Sequence, residues 1–288
     1  MNNVIKRDDN QPVWGIISPR TLIRMKRLDP EITVILPCAG SGSRLGLDTP
    51  KELYEIFPGV RLIDFSIRHI QAFISAFEAT PALPLKIVVV TRPWKVQVSE
   101  YVQSQLPQVE VRTVFFNDAY HDWPGSIYSA AGDYSGHNIV LLPDSFLAVS
   151  DGDPFHDSSS IPLILALTRK LSFTDLVFGA VFCSDPARLR HLGALSVEDQ
   201  AVKRFCDKPD TDFHLYNSFW GCFGFTRTIG ASLYNFMVAS VRKQPSPRYL
   251  SPPVPASAIP IAGYRDLGTW SAIDAFRTEW SSENNWSR

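Results

Sequence analysis

The sequence predicts an α/β fold, a Rossmann-like three-layer sandwich with a mostly parallel central sheet. Two observations point there: short apolar runs alternate with stretches of helical period through the first half, and a glycine-rich turn follows the first run. Thr33–Leu36 is a continuous run of the kind expected of a strand covered on both faces. From Leu62 to Phe77 the residues Ile63, Ile67, Ile70, Ile74 and Phe77 recur at alternating spacings of four and three, the stripe of an amphipathic helix. Lys86–Thr91 is the next strand, and Pro93 suits the first turn of the helix behind it. Val109–Phe116 and Asn138–Leu142 are further strands. Ile161–Leu167 fits a buried strand or a piece of buried helix. In the second half Leu176–Phe182, Gly193–Val197 and Ala201–Phe205 read as strands and Ile229–Val241 as a helix. Residues 244–260 are dense in proline and serine and read as a loop or connector. The expected organisation is an extension over 1–30, a single domain over 31–280 and a polar tail over 281–288.

Composition narrows the function classes. The chain of 288 residues is long enough to bury a large core, and 45% hydrophobic with 12% aromatic content argues against a disordered chain. Lys and Arg number 28 against 29 Asp and Glu, so net charge offers no footprint for nucleic acid. No run approaches the roughly 20 apolar residues that cross a bilayer, so no membrane partner is expected. Met1–Asn10 is polar and lacks the apolar centre of a secretory signal. Cys38, Cys183, Cys206 and Cys222 are scattered without metal-type spacing and read as buried thiols of a reducing compartment. The expectation is a soluble, cytoplasmic protein; a homo-oligomer is compatible with it, and residues 1–30 are available for such a contact or for covering the site.

The chemistry-bearing stretch follows the first strand, Pro37-Cys-Ala39-Gly40-Ser41-Gly42-Ser43-Arg44-Leu-Gly46-Leu-Asp-Thr-Pro50-Lys51. Glycines at a strand end let successive N–H groups turn inward around anionic oxygens, and Arg44 and Lys51 add two cations. Gly-x-Gly alone fits a plain strand-to-helix turn equally well. Leu45 stands where a dinucleotide fingerprint needs glycine, and no Gly-Lys-Ser/Thr of a Walker loop is present. With Arg44 and Pro50-Lys51 included, the stretch resembles the signature of the sugar nucleotidyltransferases, or nucleotide-sugar pyrophosphorylases, which is Gly-x-Gly-x-Arg followed by Pro-Lys. The short spacing from Arg44 to Lys51 is closer to their cytidylyltransferase members than to the glucose-1-phosphate enzymes.

The resemblance continues in order. Asp122-Trp-Pro124-Gly125-Ser126 is similar to the segment where that family reads the base, although a small residue at a helix start is also ordinary capping. Asp144, after Leu141-Leu-Pro143, stands where the family's Gly-Asp dyad holds Mg²⁺; Pro143 replaces the glycine, and a capping aspartate is the plainer reading. Asp207-Lys208-Pro209 is similar to Glu-Lys-Pro, whose lysine meets the sugar phosphate and whose acid meets a hydroxyl; here the acid is one methylene shorter. Gly179 and Gly193 resemble positions lining the sugar pocket, and Trp220 either stacks there or belongs to the core, which a lone Trp favours. Asp266, in Asp266-Leu-Gly268-Thr269, resembles the family's second metal carboxylate, against a simple Asx turn.

The resemblance implies the nucleotide-diphospho-sugar transferase (GT-A-like) fold and Mg²⁺-dependent joining of an NTP to a sugar 1-phosphate or related phosphorylated alcohol, with pyrophosphate released. Arg44 and Lys51 would be the catalytic cations. Ala39–Ser43 and Pro124–Ser126 would bind the nucleotide, Asp144 and Asp266 the metal. Gly179, Gly193, Asp207, Lys208 and Trp220 would take the acceptor. A glycosyltransferase using Asp151-Gly-Asp153 as its metal motif is the nearest rival, but it gives Arg44 and Lys51 no triphosphate to neutralise. An inactive nucleotide-binding homologue is the other, favoured by Pro143 and Asp207.

Overall fold

The computed structural model describes residues 31–77, 85–149, 161–243 and 254–283. Its strands are β1 (Ile32–Pro37), β2 (Glu55–Phe57), β3 (Val60–Arg61), β4 (Leu85–Thr91), β5 (Glu110–Phe115), β6 (His137–Leu141), β7 (Ser145–Ala148), β8 (Leu176–Phe182), β9 (Gly193–Glu198), β10 (Ala201–Asp207), β11 (Ser218–Thr226), β12 (Ala256–Pro260) and β13 (Gly263–Asp266). Its helices are α1 (Asp64–Ser75), α2 (Val96–Gln105), α3 (Asp122–Tyr128), α4 (Leu163–Leu171), α5 (Pro186–Leu189), α6 (Gly230–Val241) and α7 (Trp270–Glu283). The extension, Asp151-Gly-Asp153 and residues 284–288 lie outside the described residues.

Nine strands form one sheet in the order β5-β4-β1-β6-β11-β8-β12-β10-β9. The first four pair in parallel, as right-handed strand–helix–strand crossovers require. β11 then pairs antiparallel with both β6 and β8, β12 is parallel to β8, and β10 is antiparallel to β12 and β9. The sheet is therefore mixed, and the mostly parallel sheet expected from the sequence is corrected: β11 runs against both β6 and β8, and β10, joined to β9 by a direct hairpin, runs against both β9 and β12.

Successive strand residues face opposite layers. Val34, Leu36, Ile87, Val89, Ile139 and Leu141 pack with α1, α2 and α4 on one side, while Ile35, Val88, Val90 and Val140 pack with α3 and α6 on the other. The stripe of α1 buries Ile67, Ile70 and Phe73. Ile161–Leu167 resolves as the start of α4, the helical alternative. The end of the proline- and serine-rich connector is a correction of a different kind. Ala256–Pro260 is the interior strand β12, its small residues packing where both neighbouring strands supply the bulk, while 244–253 lie outside the described residues. A third, smaller core joins α7 to β2, β7 and the loop before α1, with Phe65, Phe146 and Phe276 in mutual ring contact.

The four cysteines are unpaired, and burial pushes the Cys38, Cys206 and Cys222 thiols up, Cys222 to about 12. Among the described residues no helix is long and apolar enough to cross a membrane.

His69, buried within α1, has its imidazole held down at about 4, chiefly by burial, against a hydrogen bond to the Leu147 backbone. The unfolded chain therefore takes up a proton between pH 6.5 and about 4 that the folded chain refuses. Stability should drop as pH falls through that window, by about 3 kcal/mol for this group once the fall is complete. The difference between the urea midpoints at pH 7 and pH 4.5 should be smaller in His69→Gln than in the parent. Identical pH dependence in both proteins would remove His69 as the cause.

Candidate active site

β1 has β4 on one side and β6 on the other, so strand order reverses there, and sheets of this kind bind ligands beyond the carboxyl ends of the strands at that point. The glycine-rich loop leaves β1 and Asp144 follows β6, so adjacent strands deliver both to one place. The Lys51 ammonium donates a short hydrogen bond to Asp144 Oδ2, with both side chains largely buried. Burial alone would lower the Lys51 pKa; the Asp144 charge and hydrogen bond outweigh it and hold the ammonium above its ordinary value. Gly42, at φ 70°, lays its bare Cα against the Lys51 methylene stem.

Asp266 arrives by a ladder that local sequence does not announce. β13 pairs antiparallel with β7, setting Asp266 opposite Ser145, and Leu267 N–H donates to the Asp144 carbonyl at 2.9 Å. Asp266 also accepts from Gly268 N–H at 2.9 Å, the Asx-turn geometry. A Cβ on Gly268 would lie 2.6 Å from an Arg44 guanidinium nitrogen and 2.9 Å from Asp266 Oδ1, so cation and carboxylate both border that glycine. Tyr264 feels the charge of both aspartates; its phenol is buried and accepts from the Ser145 hydroxyl at 3.1 Å.

Beneath the loop is a group the motifs did not reveal. Lys95 Nζ lies 2.7 Å from Glu52 Oε2, and it also donates to the carbonyls of Cys38 at 2.7 Å and Gly40 at 2.9 Å. Both side chains are buried, Glu52 wholly so, and burial pushes its carboxyl up despite the neighbouring ammonium. Arg92 Nε donates to the Ala39 carbonyl at 3.1 Å while its guanidinium lies 4.6 Å from the Phe116 ring centroid. Two cations after β4 thus tie the loop from below, leaving Gly40, Ser41, Ser43 and Arg44 exposed.

Pro124, Gly125 and Ser126 lie in α3 as expected, but the Gly125 N–H is engaged by the His121 carbonyl and its Cα packs on Tyr120. Asp207 ends β10 opposite Gly193. Burial raises its carboxyl pKa against the charges of Lys208 and Lys243 and a hydrogen bond from Trp123. The Lys243 ammonium donates to the carbonyls of Asp207 and Lys208, steadying a turn in which Lys208 has φ 48°. Gly179 is in the interior of β8, and Trp220 is 7% exposed, packed in the core on the α3 and α6 side. Among the described residues no group of three or more His, Cys, Asp or Glu side chains could hold a metal.

No family model matches the chain, and no curated protein matches it. Solved structures match its fold. An apo UDP-glucose pyrophosphorylase superposes with a TM-score of 0.65 at 14% identity, over 88% of this chain and 99% of that one. A UTP-bound UDP-glucose pyrophosphorylase from Acinetobacter baumannii gives 0.64 at 15% identity, over 89% and 95%. The inositol-1-phosphate CTP transferase of T. maritima gives 0.58 at 15% identity, over 89% and 97%. These structures are sugar nucleotidyltransferases and a close functional relative, so the likeness read from the motifs extends to a mixed α/β fold along nearly the whole domain.

Proposed function

We propose that this protein is a nucleotidyltransferase joining an NTP to a phosphorylated sugar or alcohol, with release of pyrophosphate, in the cytoplasm. The observation that carries the reading is the meeting of Lys51 with Asp144 at the ends of adjacent strands, with Asp266 and Arg44 beside them. A phosphate oxygen of the acceptor attacks the α-phosphorus of the NTP; the new O–P bond forms as the bond to the β-phosphate oxygen breaks, and pyrophosphate departs. The nucleophile is already anionic, so orientation and charge neutralisation supply the catalysis.

The loop amides from Ala39 to Ser43 and the Arg44 guanidinium hold the β- and γ-phosphates. Lys51 steadies the charge growing on the α-phosphoryl group, and its pairing with Asp144 keeps it protonated and aimed before substrate arrives. Pro124–Ser126 border the base, and Lys208 holds the acceptor phosphate. Asp144 and Asp266 are the residues that would hold Mg²⁺; two carboxylates completed by substrate phosphates and water suit that ion. When bound, it supplies charge neutralisation at the phosphates.

A matrix of NTPs against phosphorylated acceptors, read as liberated pyrophosphate with Mg²⁺ present, tests the reading, and silence across the matrix would overturn it. A finer test uses Gly268. Its φ is not in the left-handed region, so Gly268→Ala should fold normally, yet the methyl group must displace both the Arg44 guanidinium and the Asp266 carboxylate that border it. Loss of a charged hydrogen bond to the triphosphate predicts a kcat/KM for NTP about 10- to 100-fold lower, with an unchanged melting temperature. Unaltered kinetics would show that neither Arg44 nor Asp266 acts on the nucleotide.

A further inference from the structure

A lysine ammonium has three protons to donate, and Lys95 spends all three inside the protein. They go to the Cys38 carbonyl at 2.7 Å, the Gly40 carbonyl at 2.9 Å and Glu52 Oε1 at 2.9 Å. Both side chains are buried, so neither Lys95 nor Glu52 is placed to meet a substrate. The two carbonyls belong to the stretch where the glycine-rich loop leaves β1, and Glu52 directly follows Lys51, where that loop ends. One ammonium therefore fastens both ends of the segment that carries Ser41, Ser43, Arg44 and Lys51.

In a trans peptide the C=O of one residue and the N–H of the next point in opposite directions. Drawing the Cys38 and Gly40 carbonyls onto Lys95 turns the N–H groups of Ala39 and Ser41 away from it. The Ala39 carbonyl, held by Arg92 Nε at 3.1 Å, does the same for the Gly40 N–H. Among the described residues none of these three N–H groups donates a backbone hydrogen bond. They are left for an anion, as in the concave amide sites that receive phosphates. Glu52 offsets the Lys95 charge, so Lys95 contributes direction more than attraction. Without this clasp the triphosphate itself would have to order the loop, at the expense of its binding free energy.

Resting on the nucleotidyltransferase reading, we infer that Lys95 is a positioning residue for the triphosphate. By clasping both ends of the loop it aims the amides before substrate arrives, and it thereby sets the KM for NTP without touching the nucleotide.

Four full-length proteins separate this role from one in stability alone: the parent, Lys95→Met, Glu52→Gln and the combination of both substitutions. Kinetics are read as pyrophosphate release with the NTP and acceptor that give the highest rate. Lys95→Met should raise the KM for NTP about tenfold, and the combined variant should raise it by the same factor although it loses less stability. Glu52→Gln keeps the ammonium on both carbonyls and should raise the KM less than either. The KM for the acceptor should stay within about twofold of the parent, and kcat should fall less than the KM for NTP rises, because Lys51 retains Asp144. A parental KM for NTP in the combined variant would overturn the inference. So would a KM that follows the melting temperature across the four proteins, or an equal rise in the KM for the acceptor. Each of those results would leave the nucleotidyltransferase reading intact, whereas absence of pyrophosphate from the parent with every NTP would overturn both.

Discussion

Lys51→Ala should lower the rate of pyrophosphate release by at least about a thousandfold, the range found when a preorganised cation or donor is removed from a developing phosphoryl or oxyanion charge. The chain should remain folded but lose some stability, because the largely buried Asp144 carboxylate is left without its partner. Asp144→Asn should act in the same direction by a different route. It keeps the side-chain shape but removes the charge that aims Lys51 and holds its pKa up. Far-ultraviolet circular dichroism would verify the fold of each variant alongside the rate. Near-parental turnover in Lys51→Ala would remove the residue from catalysis and leave the site without an assigned purpose.

The largest expected effect on stability belongs to the pair under the loop. Lys95→Met leaves Glu52 wholly buried beside an apolar side chain, and stranding one partner of a buried ion pair costs about 3–5 kcal/mol. Glu52→Gln combined with Lys95→Met should cost appreciably less, because the uncompensated charge is gone. The pH dependence has a definite sign. A buried carboxyl with a raised pKa binds its proton more readily in the folded state, so the stability of Lys95→Met should fall as pH rises through that raised value and recover partly in mild acid. Urea unfolding of the three proteins at two pH values decides it. A deficit below about 1 kcal/mol, typical of exposed pairs, would mean that the site relaxes to hydrate Glu52.

The parts of this molecule visible in the sequence are those whose signal is local. β1, β4 and β6 are apolar runs, β5 is rich in β-branched and aromatic residues, α1 is a stripe, and Arg44 with Lys51 lies in one stretch of chain, so local composition, periodicity and spacing suffice for them. β12 was hidden because its five residues are short and partly polar, and they become a strand only by filling a slot between β8 and β10. The β7–β13 ladder joins segments more than a hundred residues apart, and each alone reads as a turn. The Lys95–Glu52 pair was invisible for a related reason: a lysine and a glutamate just beyond a strand end and a loop read as solvated, and only the tertiary fold shows them enclosed. Trp123 and Trp220 lay in motifs already singled out, but their mutual contact is a property of α3 and β11 meeting.

The place of β12 within the sheet bears on the life of the chain during synthesis. A ribosome that has released residues up to about 250 has supplied every strand of the parallel half, yet not the one that separates β8 from β10. Until 256–260 emerge, β8 presents a bare edge on that side, the kind of surface that recruits other chains. Nascent or prematurely terminated polypeptides of this protein should therefore depend on chaperones far more than the finished molecule does.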